Sequence, residues 1–307
     1  MKFNTFSLLI TFSLVSVILY ALPLAAEESK STTRSADLAS SKVISEAEQA
    51  KVNDQVNKKQ KEIINEAVAA IEQTKDAVAA LENNKKQKAL EALEAALGEL
   101  EVVLAREPDL AFAPIDTQIT IHNLNATLTG IEQAREQAID YLKDKEIQKA
   151  RAILTGLASE VVLSVTSIPL ATYPDVIKRV IPMIDANKLE NAQAALRVAL
   201  NSMTVTNYVF PLPIIRADKI LEKAQALTKK IDRTNAENET LVRSIGDARL
   251  QLETAEALGY GNQDDYRTLY ERLDTLEERI GGNVPGSGYF EEIREFISDY
   301  LKPFDKE

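Results

Sequence analysis

The sequence predicts a mainly α protein: antiparallel helical hairpins packed as a bundle, with a small β element if its short extended segments pair. Three observations carry this reading. One phrase occurs three times, as Leu81…Ala89…Leu93, Leu142…Ala150…Leu154 and Ile184…Ala192…Leu196, spaced by eight and then four residues each time. Polar residues (Asn83-Asn84, Asp144-Lys145, Asn187-Lys188) fall between the first apolar residue and the alanine. This is the pattern of a helix ending, a short polar turn, and a second helix starting with a small residue packed on the first. Around the phrases, apolar residues recur at three, four and seven positions, as helix faces require. Between the hairpins lie short β-branched runs bounded by proline.

The chain opens with Met1-Lys2, an apolar run from Phe6 to Leu24, and Pro23-Leu24-Ala25-Ala26 before Glu27-Glu28. A positive start, an apolar stretch and small residues describe a secretory signal over 1–26, although Leu24 departs from the small residue expected three before the cut. The run is near the ~20 residues that span a bilayer, so an uncleaved inner-membrane anchor is the alternative. Both readings place the remainder outside the cytoplasm, in the periplasm. The absence of a cysteine after the run excludes a lipoprotein anchor. Residues 27–45 are rich in Ser, Thr and Ala, the pattern becomes helical from Glu46, and 27–60 reads as a flexible leader into the first helix.

A helical domain is expected over 61–235. Its first helix carries Ile64, Ala67, Val68, Ile71, Val78 and Leu81. The second, from Lys86 to Arg106, carries Leu90, Leu93, Leu97, Leu100 and Leu104 and stops at Pro108. Pro108 and Pro114 break the next segment, and Gln118-Ile119-Thr120-Ile121-His122 alternates as a strand does. Helix resumes near Asn125, turns at Asp144 and continues to about Leu163. Val161–Pro169 and Thr204–Phe210 are β-branched again. The three extended runs either pair into a small sheet or serve as connectors. Pro174 suits a first helical turn, whereas Pro182, inside the pattern Val176, Ile177, Val180, Ile181, Ile184, must kink or divide its helix. Pro211 and Pro213 lead into a helix from Ile214 to about Ile231.

The stretch from Ile168 to Leu227 resembles the YfdX family of bacterial secreted proteins. The resemblance is carried by the β-branched run ending at Pro169, the helix opened by Tyr173-Pro174, the turn Ala186-Asn187-Lys188, and Tyr208-Val209-Phe210-Pro211-Leu212 before a long helix. The earlier hairpins are compatible with it, so it covers about residues 60–230. It implies a mainly helical periplasmic protein tied to stress response, and it implies no catalytic residues. Pro182 and the C-terminal extension go beyond the family pattern.

Two further stripes make a C-terminal hairpin over 236–280: Leu241, Ile245, Ala248, Leu252, Ala255, Leu258, then Tyr266, Leu269, Tyr270, Leu273, Leu276, Ile280. Residues 281–307 read as a Gly-rich linker and a short amphipathic helix.

The composition narrows function. The 307 residues include no cysteine and one histidine, with a net charge of −11. An acidic surface repels nucleic acid and anionic lipid, so no nucleic acid and no membrane beyond the signal segment is expected as partner. His122 alone cannot build a metal site, and Thr120-Ile121-His122-Asn123 is no nucleophile turn; a strand-end histidine, with at most a role in sensing pH, is the plainer reading. Asp264-Asp265 lacks the ligand spacing of a calcium loop, and Gly281–Gly288 lacks the lysine of a phosphate loop. No cofactor and no enzymatic activity are expected. The site candidates are Tyr173, Tyr208 and Phe210, aromatics on proline-bounded segments that either line an apolar ligand groove or cap the core where hairpins meet. The expected function is a non-enzymatic, stress-associated binding or shielding protein taking a small apolar ligand or a protein partner. A tetratricopeptide-like scaffold is the alternative, although the phrase recurs at unequal offsets, and a hydrolase with an unrecognised site is the third reading. Oligomeric state is not legible.

Overall fold

Each copy of the phrase closes the same turn. Asn84, Lys145 and Asn187 adopt φ of 56°, 63° and 60°. The next N–H then reaches back five residues: Lys85 to Ala80 O (2.8 Å), Glu146 to Tyr141 O (2.8 Å) and Lys188 to Met183 O (2.9 Å). This left-handed closure satisfies the last carbonyls of the first helix. Asparagine tolerates such a φ and lysine does so less well. Lys145→Gly is therefore expected to stabilise the protein by about 1 kcal/mol, measured by denaturant unfolding, while Asn84→Gly and Asn187→Gly change it less.

The computed structural model describes residues 57, 59, 62–230, 232–281 and 287–300. The expected signal over 1–26, nearly all of the leader and most of the Gly-rich linker lie outside the described residues. Those described fall in one unit, Lys42–Glu307. The order is α1 (Asn65–Glu82), α2 (Lys86–Arg106), β1 (Phe112–His122), α3 (Leu128–Lys143), α4 (Ile147–Gly156), β2 (Glu160–Pro169), α5 (Tyr173–Asp185), α6 (Leu189–Leu200), β3 (Thr204–Pro211), α7 (Leu212–Thr228), α8 (Asn235–Ala257), α9 (Gln263–Gly281) and α10 (Ser287–Tyr300). The first two-thirds is thus a hairpin and a strand, three times over.

The three strands form one antiparallel sheet in the order β1-β2-β3, so the extended runs are strands and not connectors. Ile121, Val161 and Phe210 lie in one cross-strand row, and Ile119, Leu163 and Tyr208 in the next. β1 begins six residues before the strand expected at Gln118. It accommodates Pro114 because it is an edge strand and its register shifts between Pro114 and Asp116, the places where a missing N–H is tolerated. Helix α5 runs through Pro182 without dividing; the Pro182 carbonyl still accepts from Ala186 N at 3.1 Å.

Two hydrophobic cores share the sheet. The first packs α1–α2 against α5–α6, with Ala113, Ile168 and Leu170 from the strand ends. Here α1 lies against α6 and α2 against α5. The second packs α7, α8, α9 and α10 over Val161, Leu163, Val165 and Phe210. The hairpin expected at 236–280 and the last helix therefore share one core with α7 and the sheet. Thr234 and Glu237 form a capping box at the start of α8, satisfying N–H groups that would otherwise lack partners. At the other end, Tyr260 accepts from Ser159 N (3.0 Å) and donates to Glu160 Oε2 (2.8 Å), tying α8 to β2. Burial and the adjacent carboxylate raise the Tyr260 phenol well above its usual range. Arg294 on α10 reaches the buried Asp218 of α7 (3.0 Å) and Gln225 Oε1 (3.2 Å), which anchors the last helix.

The phrase alanines Ala89, Ala150 and Ala192 are all fully buried. Leu81, Leu93, Ile184 and Leu196 are buried with them, but Leu142 and Leu154 of the middle hairpin are exposed.

Candidate functional site

The three aromatic candidates are not brought together. Tyr173 is fully buried in the first core. Phe210 is buried in the second, and Tyr208 is half-buried against that second core. Proline-bounded strands and helices deliver them to opposite ends of the sheet, so the groove expected to be lined by all three is replaced by core positions for two of them. The Tyr173 hydroxyl lies beside Thr74, whose own hydroxyl donates instead to Ala70 O (2.7 Å). It is left without a hydrogen-bond partner among the described residues, and burial pushes its pKa up to about 12. An orphaned buried hydroxyl costs about 1–3 kcal/mol. Tyr173→Phe is accordingly expected to raise stability by about 1 kcal/mol, read by thermal or denaturant unfolding.

Through Lys59, Tyr208 leads to a cleft at the start of α1. The Lys59 ammonium sits over its ring at 4.8 Å from the centroid, an arrangement the ring quadrupole favours, and also pairs with Glu62 Oε2 at 3.0 Å. Glu62 lines a cleft of about 510 Å³ where the start of α1, the end of α2 and the start of β1 converge. Backbone placement builds this cleft: Ile64 N donates to Pro114 O (3.0 Å), joining the segment before α1 to β1. Its apolar wall is Ile64, Val103, Leu110 and the half-exposed Phe112; Glu62, Glu66 and Glu107 form the polar wall with Arg106. Arg106 pairs with Glu66 across the cleft. The Glu66 backbone N–H, in the first turn of α1, and that guanidinium hold its carboxyl below the usual range, as the positive end of a helix does.

Glu62, Glu66 and Glu107 against the Lys59 ammonium and the Arg106 guanidinium leave one carboxylate in excess at the cleft, and Phe112 offers it an aromatic face. Such a surface can hold a cation with an apolar body through charge and burial. The sequence does not reveal this site, because Pro108 and Pro114 read as breaks and the strand signal begins only at Gln118. The run Phe112-Ala113-Pro114-Ile115 is apolar throughout, so it carries no period-2 signal, and Pro114 reads as a breaker. His122 is exposed at the end of β1, opposite Glu160 in register. Among the described residues, no group of three or more His, Cys, Asp or Glu is placed to hold a metal ion, and no helix is long and apolar enough to cross a membrane.

Fold and site together define a helical-hairpin protein organised on a small antiparallel sheet, with a cleft where α1, α2 and β1 converge. Residues 70–209 match the family model described as YfdX protein. The match begins within α1 and ends within β3; α7 to α10 lie beyond it. Among solved structures, Salmonella Typhi YfdX is similar to it at 17% identity, covering 49% of this chain and 93% of that one, with a TM-score of 0.34. No curated protein matches the chain.

Proposed function

We propose that this protein is an exported, non-enzymatic binding protein of the periplasm, associated with stress, whose ligand is a small organic cation with an apolar body. The cleft between α1, α2 and β1 carries this reading, because its aromatic and carboxylate walls meet around one volume of ligand size. The groups that converge there are apolar side chains, carboxylates and a guanidinium already paired with Glu66. Export rests on Lys2, the apolar run and the small residues ending at Ala26. The match of residues 70–209 to the YfdX family model supports it, because that resemblance implies a secreted protein.

Thermal melting of the purified chain with benzyltrimethylammonium and with benzoate tests the ligand class. The cation is expected to raise the melting temperature in a concentration-dependent way, benzoate to leave it unchanged, and Phe112→Ala and Glu107→Gln each to weaken the cation's effect several-fold. Equal shifts with both probes, or none with the cation, overturn the proposal. For export, N-terminal sequencing of protein from the envelope fraction is expected to start after Ala26; a chain beginning at Met1 and released only by detergent identifies the anchored form.

A further inference from the structure

We infer that the groove between α7 and α9 is a docking site for a basic amphipathic helix of a partner protein, and that α10 is its tethered placeholder. The inference is independent of the cleft. It starts from how α10 is seated. Phe290, Ile293 and Ile297, spaced by three and four residues, are fully buried, the anchor pattern by which an amphipathic helix enters an apolar groove. Helix α10 packs on α7 and α9, and the Gly-rich run 281–288 joins it to α9. On the α9 side, Arg272 and Arg279 lie over the Phe296 and Tyr289 rings, at 6.0 and 4.4 Å from their centroids.

On the α7 side the groove carries a notch for one guanidinium. Asp218, 2% exposed among the buried Ala217, Leu221 and Ala224, accepts from Arg294 Nε at 3.0 Å. Gln225 Oε1 accepts from Arg294 Nη1 at 3.2 Å, and Glu222 Oε2 lies 3.7 Å from Nη2. Three oxygens, at i, i+4 and i+7 along α7, thus meet the three nitrogens of one side chain. Arginine alone presents nitrogens in such a planar array; lysine would fill a single place in it. A carboxylate this deeply buried is costly when its partner is missing, so the notch rejects a helix that brings no arginine to it.

Charge identifies what α10 stands in for. Within Ser287–Tyr300, Glu291, Glu292, Glu295 and Asp299 outnumber the single cation Arg294, a net −3. Helix α9 beneath it carries six acids to three arginines, again a net −3. An acidic helix therefore lies on an acidic helix, in a chain of net −11. Glu291 accepts from Gln225 Nε2 at 3.2 Å and Glu292 pairs with Arg272 Nη1 at 3.4 Å, whereas Glu295 is exposed. The apolar ridge and the arginine of α10 fit the groove; its net charge does not. A helix with the same ridge, the same arginine and cations on its outer face adds the attraction that α10 lacks. A short tether gives α10 a local concentration of about 1 mM, which keeps out helices that fit no better than α10 itself.

Fluorescence anisotropy of a labelled peptide titrated with the full chain, together with amide hydrogen exchange of the chain, tests the groove. The probe is the α10 sequence with Glu291→Lys, Glu295→Lys and Asp299→Lys, which turns its net −3 into +3. It is expected to bind wild type with a Kd of about 10 μM. It is also expected to speed exchange across residues 290–297 of the chain's own α10 while leaving α1 and α2 unchanged. The unaltered α10 peptide should bind at least tenfold more weakly, and a scrambled peptide of the probe's composition should not bind. Arg294→Lys in the probe should weaken it at least tenfold. Ile293→Glu in the chain, which unseats α10, should tighten the probe at least tenfold; if that variant folds poorly, exchange in wild-type α10 still decides. No binding to wild type, equal binding by the scrambled or Arg294→Lys peptide, or α10 exchange unmoved by bound probe overturns the inference. Unaltered α10 peptide binding as tightly as the basic probe makes the α10 of a second copy the occupant, and overturns it too.

Discussion

Ala192→Glu is expected to destabilise the protein by about 3–5 kcal/mol, the scale of an uncompensated buried charge. Ala192 is fully buried at the start of α6, inside the core made by α1, α2, α5 and α6. A carboxylate there has no water and displaces packed methyl groups. Burial raises its folded-state pKa above the unfolded value of about 4.3. The charged form is what the fold disfavours, so the penalty is largest above the folded-state pKa. It shrinks as pH falls toward the unfolded pKa, leaving only the steric part. Denaturant unfolding of mutant and wild type at neutral and mildly acidic pH checks both magnitude and sign. Ala150→Glu, in the hairpin that belongs to neither core, should cost less. A melting temperature for Ala192→Glu equal to wild type would show that the hairpin register is wrong.

Phe210→Ala is expected to cost about 3–5 kcal/mol through lost burial and the cavity left behind. Phe210 sits in the row Ile121–Val161–Phe210 and is buried beneath α7 to α10, where several elements fix its surroundings and limit collapse. Tyr208→Ala, two residues away but half-buried beneath Lys59, should cost only about 1–2 kcal/mol. Comparing the two by urea unfolding, at unchanged slope, separates a core aromatic from a surface one within a single strand. Comparable losses would contradict the burial described for β3.

Much of the fold was legible because its signals are local. The turns at Asn84, Lys145 and Asn187 were marked by polar pairs, and the alanines that follow are buried in all three hairpins. The β-branched runs before Pro169 and Pro211 became strands, since β-branched side chains suit a pleated surface. The start of β1 was not legible: Pro114 reads as a breaker until an edge position and a bulge relieve it of donating a hydrogen bond. The separation of the aromatic candidates has a different cause. Tyr173, Tyr208 and Phe210 share proline-bounded settings in sequence, but the setting says nothing about which end of the sheet each reaches. The cleft at Glu62, Arg106 and Phe112 was invisible because its walls come from three segments that only meet once β1 and α1 are joined.

Local pattern alone determined the helices, their polar turns and the alternation of hairpin and strand. Each is decided by residues within a few turns of one another, through backbone dihedrals and side-chain periodicity. Tertiary structure alone decided that the first and third hairpins cover each other, that the middle one keeps Leu142 and Leu154 in solvent, and that the aromatics divide between two cores. An apolar stripe states that a face is to be buried; the partner is chosen by which faces the sheet brings within packing distance, and no periodicity in the chain encodes that distance.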